Sequence, residues 1–140
     1  MAFDTTSFAS TWTPRVLALL RIVSGYLFLL HGSAKLLGFP HVAMFDNLQL
    51  MSLPGIAGII ELVGGVLLVL GLFTRPAAFV MSGTMAVAYF IAHAPQGNVL
   101  FPLLNGGEVP VLFCFIFLFI AAAGAGAWSI DAARSRTPPT

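Results

Sequence analysis

RIVSGYLFLLHGSAK, residues 21–35, decides how the rest of the chain is read, because it sets an arginine, a histidine and a lysine inside an otherwise apolar helical stretch. A charged group near the centre of a bilayer costs about 2.5–3.5 kcal/mol on insertion scales, so such groups turn toward the protein interior. The helical period shows where they turn. At about 100° per residue, Arg21, Ser24, Phe28, His31 and Lys35 fall within roughly 80° of one another, with Gly25 and Gly32 flanking the stripe. Ile22, Leu27, Leu29, Leu30 and Leu36 make the remaining surface fit for lipid. The expected arrangement is a helix with one small, polar face buried against partners.

Composition agrees with a bilayer setting. With 140 residues, 59% of them hydrophobic and 8% charged, the chain reads as one domain, residues 1–140, too apolar to hide its surface in water. A net charge of +1 leaves no basic face for nucleic acid. Cys114 is the only cysteine, which excludes an intrachain disulfide, a CxxC redox pair and a cysteine metal site; no metal is expected. Cys114 reads as a small apolar residue.

The order of signals predicts an all-α membrane protein, a four-transmembrane-helix bundle with spans near 14–37, 54–73, 76–94 and 108–127. Residues 1–13 lack the basic start of a cleaved signal peptide and are expected to be retained. Thr13-Pro14 reads as a helix start and Gly38-Phe39-Pro40 as a stop. Val42, Phe45 and Leu48 recur every third residue, as in a short interfacial helix within 41–53. Pro54, the Thr74-Arg75-Pro76 turn, and Pro95 with Gly97 punctuate the next spans. Gly64-Gly65 and the small-residue run 121–127 would let neighbouring helices approach closely. With four spans, Arg15, Arg75, Arg134 and Arg136 share one side with both termini, whereas 38–53 and 95–106 carry no Lys or Arg. The positive-inside rule therefore places both termini in the cytoplasm, with Trp12 and Trp128 at that interface.

Depth along the predicted helices brings His31 and Glu61 to one level in the outer half, with Lys35, His93, Asn105 and Glu108 nearer the outer mouth and Arg21 toward the cytoplasm. Ser82, Ala86, Tyr89 and His93 form a stripe on the third helix. A bland reading accompanies each residue. Arg21 and Lys35 can snorkel to the two interfaces, and His93 and Glu108 can sit at the outer one. Glu61 is short-stemmed and flanked by Gly58, Gly64 and Gly65, so it needs a cation or a proton, with Lys35 as the nearer cation. A structural ion pair is its alternative to a functional role. The candidate catalytic residues are Glu61 and His31, and the candidate polar or ligand-binding cluster is Arg21, Lys35, Tyr89, His93, Asn105 and Glu108.

The pieces LLRIVSGYLFLLHGSAKLLGF, ELVGGVLLVLGLFTRPAA, HAPQG, NGGE and WSIDAA stand in the order and spacing of the DoxX family, small bacterial membrane proteins that the chain resembles over residues 15–133. The resemblance implies a four-helix bundle in the bacterial inner (plasma) membrane. It also implies a redox role, as a subunit of a quinone-linked oxidoreductase or a partner of thiol and oxidative-stress enzymes, and it lays Arg21, His31, Lys35, Glu61, His93, Asn105 and Glu108 on the family's polar positions. The family's Gly-Pro-Gly before the last motif is Gly124-Ala125-Gly126 here, which bears on how the last helix ends.

Two function classes follow. One is a membrane subunit that binds a quinone or quinol headgroup in the polar outer half, where histidine and glutamate can hydrogen-bond ring oxygens and relay protons. The other is a non-catalytic scaffold that recruits a soluble redox or thiol-stress enzyme; lipid and further copies of the chain are the other candidate partners. No dinucleotide loop, cysteine cluster or nucleophile elbow is present, and no covalently bound cofactor is expected. Haem, with His31 and His93 as axial ligands, is a minor alternative marked by a Soret band.

Overall fold

The structure, a computed structural model, describes residues 5–136 and is helical, with no strand among the described residues. Helix α1 (Thr5–Leu37) is followed by α2 (Leu53–Leu70), α3 (Thr74–Ala88), the single turn α4 (Pro102–Asn105), α5 (Glu108–Ala123) and the short α6 (Ile130–Ser135). Beyond Ala88, α3 widens into a π-turn over Tyr89–His93 and tightens into a 3₁₀ turn over Ala94–Gln96. Among the described residues three helices are long and apolar enough to cross a membrane, Thr6–Leu37, Leu53–Leu70 and Thr74–Gln96; α5 is apolar but shorter. Their large side chains face outward, among them Val23, Leu27, Val63, Phe79, Val87, Phe115 and Phe119. A multi-pass helical membrane protein accounts for that surface.

Several boundaries differ from those expected. Helix α1 starts at Thr5 rather than Pro14, which lies inside it. The carbonyl that Pro14 leaves unpartnered belongs to exposed Ser10, and the added turns gain a Phe8–Trp12 ring contact with centroids 6.1 Å apart. Residues 5–13 are thus continuous with the first span, while residues 1–4 lie outside the described residues. At 33 residues, α1 is about 50 Å long and overshoots a hydrocarbon core of roughly 30 Å. Helix α2 ends at Leu70, short of Phe73, because Gly71 takes a left-handed φ of 65°. The Leu72 amide then donates to the Leu67 carbonyl and the Gly71 amide to that of Leu68, closing the end as a Schellman cap. Segment 41–53 holds one 3₁₀ turn, Ala43–Phe45, in place of the expected interfacial helix. Of the three residues in its period, Phe45 and Leu48 are half-buried and Val42 is exposed. Helix α5 stops at Ala123, not 127, at Gly124 with φ 96°, and Gly126 with φ 69° turns the chain again.

The bundle is two tight pairs, α1 on α2 and α3 on α5, joined most closely by α2 and α3. In the first pair glycine permits backbone contact: a Cβ built on Gly65 would lie 2.6 Å from the Leu29 amide, and one on Gly32 would overlap the Leu62 backbone. Phe28, Leu68, Ala78, Met81, Met85, Phe117 and Ile120 form the core between the pairs. The Phe28 ring meets Phe113 and Phe117 edge-on, at 4.9 and 4.6 Å between centroids. Helices α1 and α5 touch little, which leaves a seam on that side.

Candidate functional site

Glu61 occupies the middle of α2 and is 4% exposed. Its cation is Lys35 of α1, whose Nζ stands 2.8 Å from Oε1 and 2.8 Å from Oε2. Both oxygens thus share the ammonium, Oε1 through an aligned hydrogen bond and Oε2, which is enclosed, at the same distance but out of alignment. The lysine stem follows the glycine face of α2, within 3.1 Å of where a Cβ on Gly58 would sit. The Phe45 ring lies on Lys35 Nζ at 5.7 Å from its centroid. Lys35 also lines a second recess with His41 and Asp46, themselves paired at 2.8 Å.

On the other side of Glu61 lies a cavity of about 230 Å³, lined by Phe28, His31, Glu61, Met85, His93, Gly106, Val109, Pro110 and Phe113. His31 and Glu61, expected at one depth, thus share a wall with His93, and all four long elements contribute. His31 is exposed where α1 faces α5, and its ring lies 6.1 Å from that of Phe28. His93 closes the π-turn of α3, a distortion that recurs at functional sites. Its Nδ1 is 3.1 Å from the Asn105 carbonyl. A carbonyl only accepts, so Nδ1 carries the proton of that bond and Nε2 is the free position.

Tyr89 and Asn105 brace this wall from behind. The Tyr89 hydroxyl donates to the Val99 carbonyl at 2.6 Å and accepts from Asn105 Nδ2 at 3.1 Å. Asn105 Oδ1 accepts from the Gly107 amide at 2.9 Å, and the Tyr89 and His93 rings stack at 6.4 Å. The pair holds the 97–107 loop and the His93 ring, and neither residue lines the cavity. Glu108 is exposed in the first turn of α5, where the helix dipole suits a carboxylate, and lines a separate recess with Leu100, Leu104 and Leu112.

Arg21 stands apart from the cluster. It is fully buried rather than snorkelling, and its guanidinium donates to five backbone carbonyls: Leu68 and Val69 at the end of α2, and Ala125, Ala127 and Trp128 beyond α5. The fixed fork of donors gathers three chain segments, and its charge suits the negative end of α2. Other ties close the same end: the Ala127 amide donates to the Pro14 carbonyl, the Asp131 amide to that of Gly71, and Arg75 to those of Ala121 and Ala122. The Asp131 carboxylate accepts from the Phe73 and Thr74 amides at 3.0 and 2.9 Å, capping α3 from α6. WSIDAA marked the segment, but capping at a distance leaves no periodic signal and Asp131 was not among the expected residues.

Cys114, half-buried, accepts at its carbonyl from the Ser82 hydroxyl at 2.8 Å and joins α5 to α3. The more apolar groove between α2 and α3, about 390 Å³ and lined by Ile59, Val63, Phe73 and Val80 among others, has no ionisable lining residue and offers no acid–base chemistry. Among the described residues no group of three or more His, Cys, Asp or Glu could hold a metal.

Comparison with known proteins fixes the family. The DoxX family model matches residues 16–94. An uncharacterized protein of Haemophilus influenzae is 49% identical over 127 residues, covering 86% of this chain and 91% of that one. No solved structure matches. The chain belongs to the DoxX family.

Proposed function

We propose that this DoxX-family membrane protein is the membrane subunit of a redox system and binds the headgroup of a quinone or quinol between His31, Glu61 and His93. The observation that carries this reading is a mostly apolar cavity of about 230 Å³ with acid–base groups on its walls. Sites that enclose whole small ligands run to about 300–1,000 Å³, so this one suits a single ring whose tail stays outside. The thinly packed α1–α5 seam, with His31 and Val109 exposed along it, offers the tail a way into lipid. Phe28 and Phe113 supply faces for the ring, and the histidines and Glu61 can hydrogen-bond its oxygens and pass protons. The same size disfavours a macrocycle, and the absorption spectrum is expected to lack a Soret band.

In this reading α5 is the fourth span, the arginine-rich end faces the cytoplasm and the cavity lies in the outer half of the bacterial inner membrane. Lipid extraction of gently purified protein tests the ligand. Quinone in near-stoichiometric amount is expected. Its absence, together with co-purification of a soluble redox or thiol-stress enzyme, would replace this reading with the scaffold.

A further inference from the structure

We infer that the cavity selects hydroxyl donors: it takes a ring hydroxyl, as in a quinol or a phenol, in preference to a ring carbonyl or ether. The inference rests on the quinone-type reading only for the natural ligand, and the selectivity itself follows from which polar atoms are fixed. Glu61, paired with Lys35, is a carboxylate and can only accept. Its Oε2 is enclosed and, although 2.8 Å from the Lys35 ammonium, has no aligned hydrogen bond, so it keeps a lone pair for a further donor, and Glu61 is one of the cavity's lining residues. His93 presents the same polarity. With the Nδ1 proton held by the Asn105 carbonyl, the neutral ring leaves a lone pair on Nε2, for which no partner exists among the described residues. A carbonyl ligand would set acceptor against acceptor at both places. Among the lining side chains it would find a donor only at His31, whose ring has no hydrogen-bond partner among the described residues.

Two hydroxyls of one ring can therefore each find an acceptor, one on α2 and one at the end of α3. The reduced form of a quinone-type ligand matches this polarity, and the oxidised form leaves both acceptors without a donor. Lys35 is central to this polarity. In Glu61→Gln it would hold the amide oxygen and turn the NH₂ away from the ammonium, putting a donor where the carboxylate offered only acceptors, so the preference would be lost or reversed.

Equilibrium dialysis of the full chain in lipid nanodiscs tests this with two matched pairs: phenol against its methyl ether anisole, and a short-chain benzoquinol against the corresponding benzoquinone, kept anaerobic. The expected result is about tenfold tighter binding of phenol and of the quinol, as one charge-assisted hydrogen bond allows, with the gap abolished or inverted in Glu61→Gln. If that variant is too unstable, Glu61→Gln with Lys35→Met removes the stranded ammonium and is expected to abolish the gap. Phenol binding no tighter than anisole to the wild-type protein would overturn the inference, as would an unchanged preference in the Glu61 variants. Selective binding of phenol with neither benzoquinol nor benzoquinone retained would leave the inference standing and remove the quinone-type reading.

Discussion

Lys35 and Arg21 lie on one face of one helix, yet removing each should have a different consequence. Lys35→Met strands the Glu61 carboxylate among apolar neighbours, and breaking one side of a buried pair costs about 3–5 kcal/mol. Thermal unfolding in detergent should show that loss, and adding Glu61→Gln should restore most of the stability. Ligand binding should not return with it if Glu61 contacts the ligand; full recovery of both would reduce the pair to a structural role. Arg21→Met leaves five carbonyls without their donor, at about 1.5–3 kcal/mol for each charge-assisted bond and with incomplete additivity. Its destabilisation should be at least as large, while the protein that stays folded keeps its ligand. The buried stripe was legible because charge in lipid and a 3.6-residue period leave few choices. The role of Arg21 was not, because its acceptors are backbone carbonyls 47 to 107 residues away.

Among the elements, the α1–α2 contact is the most exacting. Gly32→Leu would force a side chain into the Leu62 backbone and should separate the pair, lowering thermal stability and opening the Lys35–Glu61 contact together. Leucine at exposed Gly83, where an added Cβ meets nothing, is the control and should be silent. At the opposite end, α3 depends on a cap supplied by α6. Burial raises the Asp131 carboxyl, but the Thr74 and Phe73 amides and the Arg134 charge outweigh it and hold the group below its ordinary 3.8. A depressed folded value means that the stabilisation is present above the ordinary value and is lost as pH falls through the folded one. Asp131→Ala should cost about 0.5–2 kcal/mol near neutrality, as other lost helix caps do, and its deficit should shrink in acid. A deficit independent of pH would assign the effect to packing. Element type was readable from apolar length and from proline and glycine. The ends were less so, since Gly71, Gly124 and Gly126 act through backbone conformations that depend on where the next segment packs.

For the whole molecule, the arginine-rich end and the cavity end define an axis. Arg75 binds the last turn of α5, Arg134 lies over Phe73 at 5.8 Å and Arg15 over Trp12 at 5.4 Å, while Lys35 is far along α1 beside Glu61. Reporter fusions at residues 46 and 100 should be active only outside the cytoplasm, and cytoplasmic activity at either would overturn the four-span orientation. Hydropathy carried the multi-pass architecture because lipid-facing helices must be apolar over their length. The cavity was legible in outline because His31 and Glu61 fall at one depth; its closure by Phe28, Met85 and Phe113 was not, since apolar residues of a core and of a pocket look alike in sequence. The central claim is that this cavity is the ligand site with Glu61 at its centre. Its most direct measurement is quinone content per mole of gently purified protein in wild type and in Glu61→Gln with Lys35→Met, compared at equal thermal stability. Near-stoichiometric quinone in the first and about a tenfold loss in the second is the predicted result. Equal quinone content in both would contradict it.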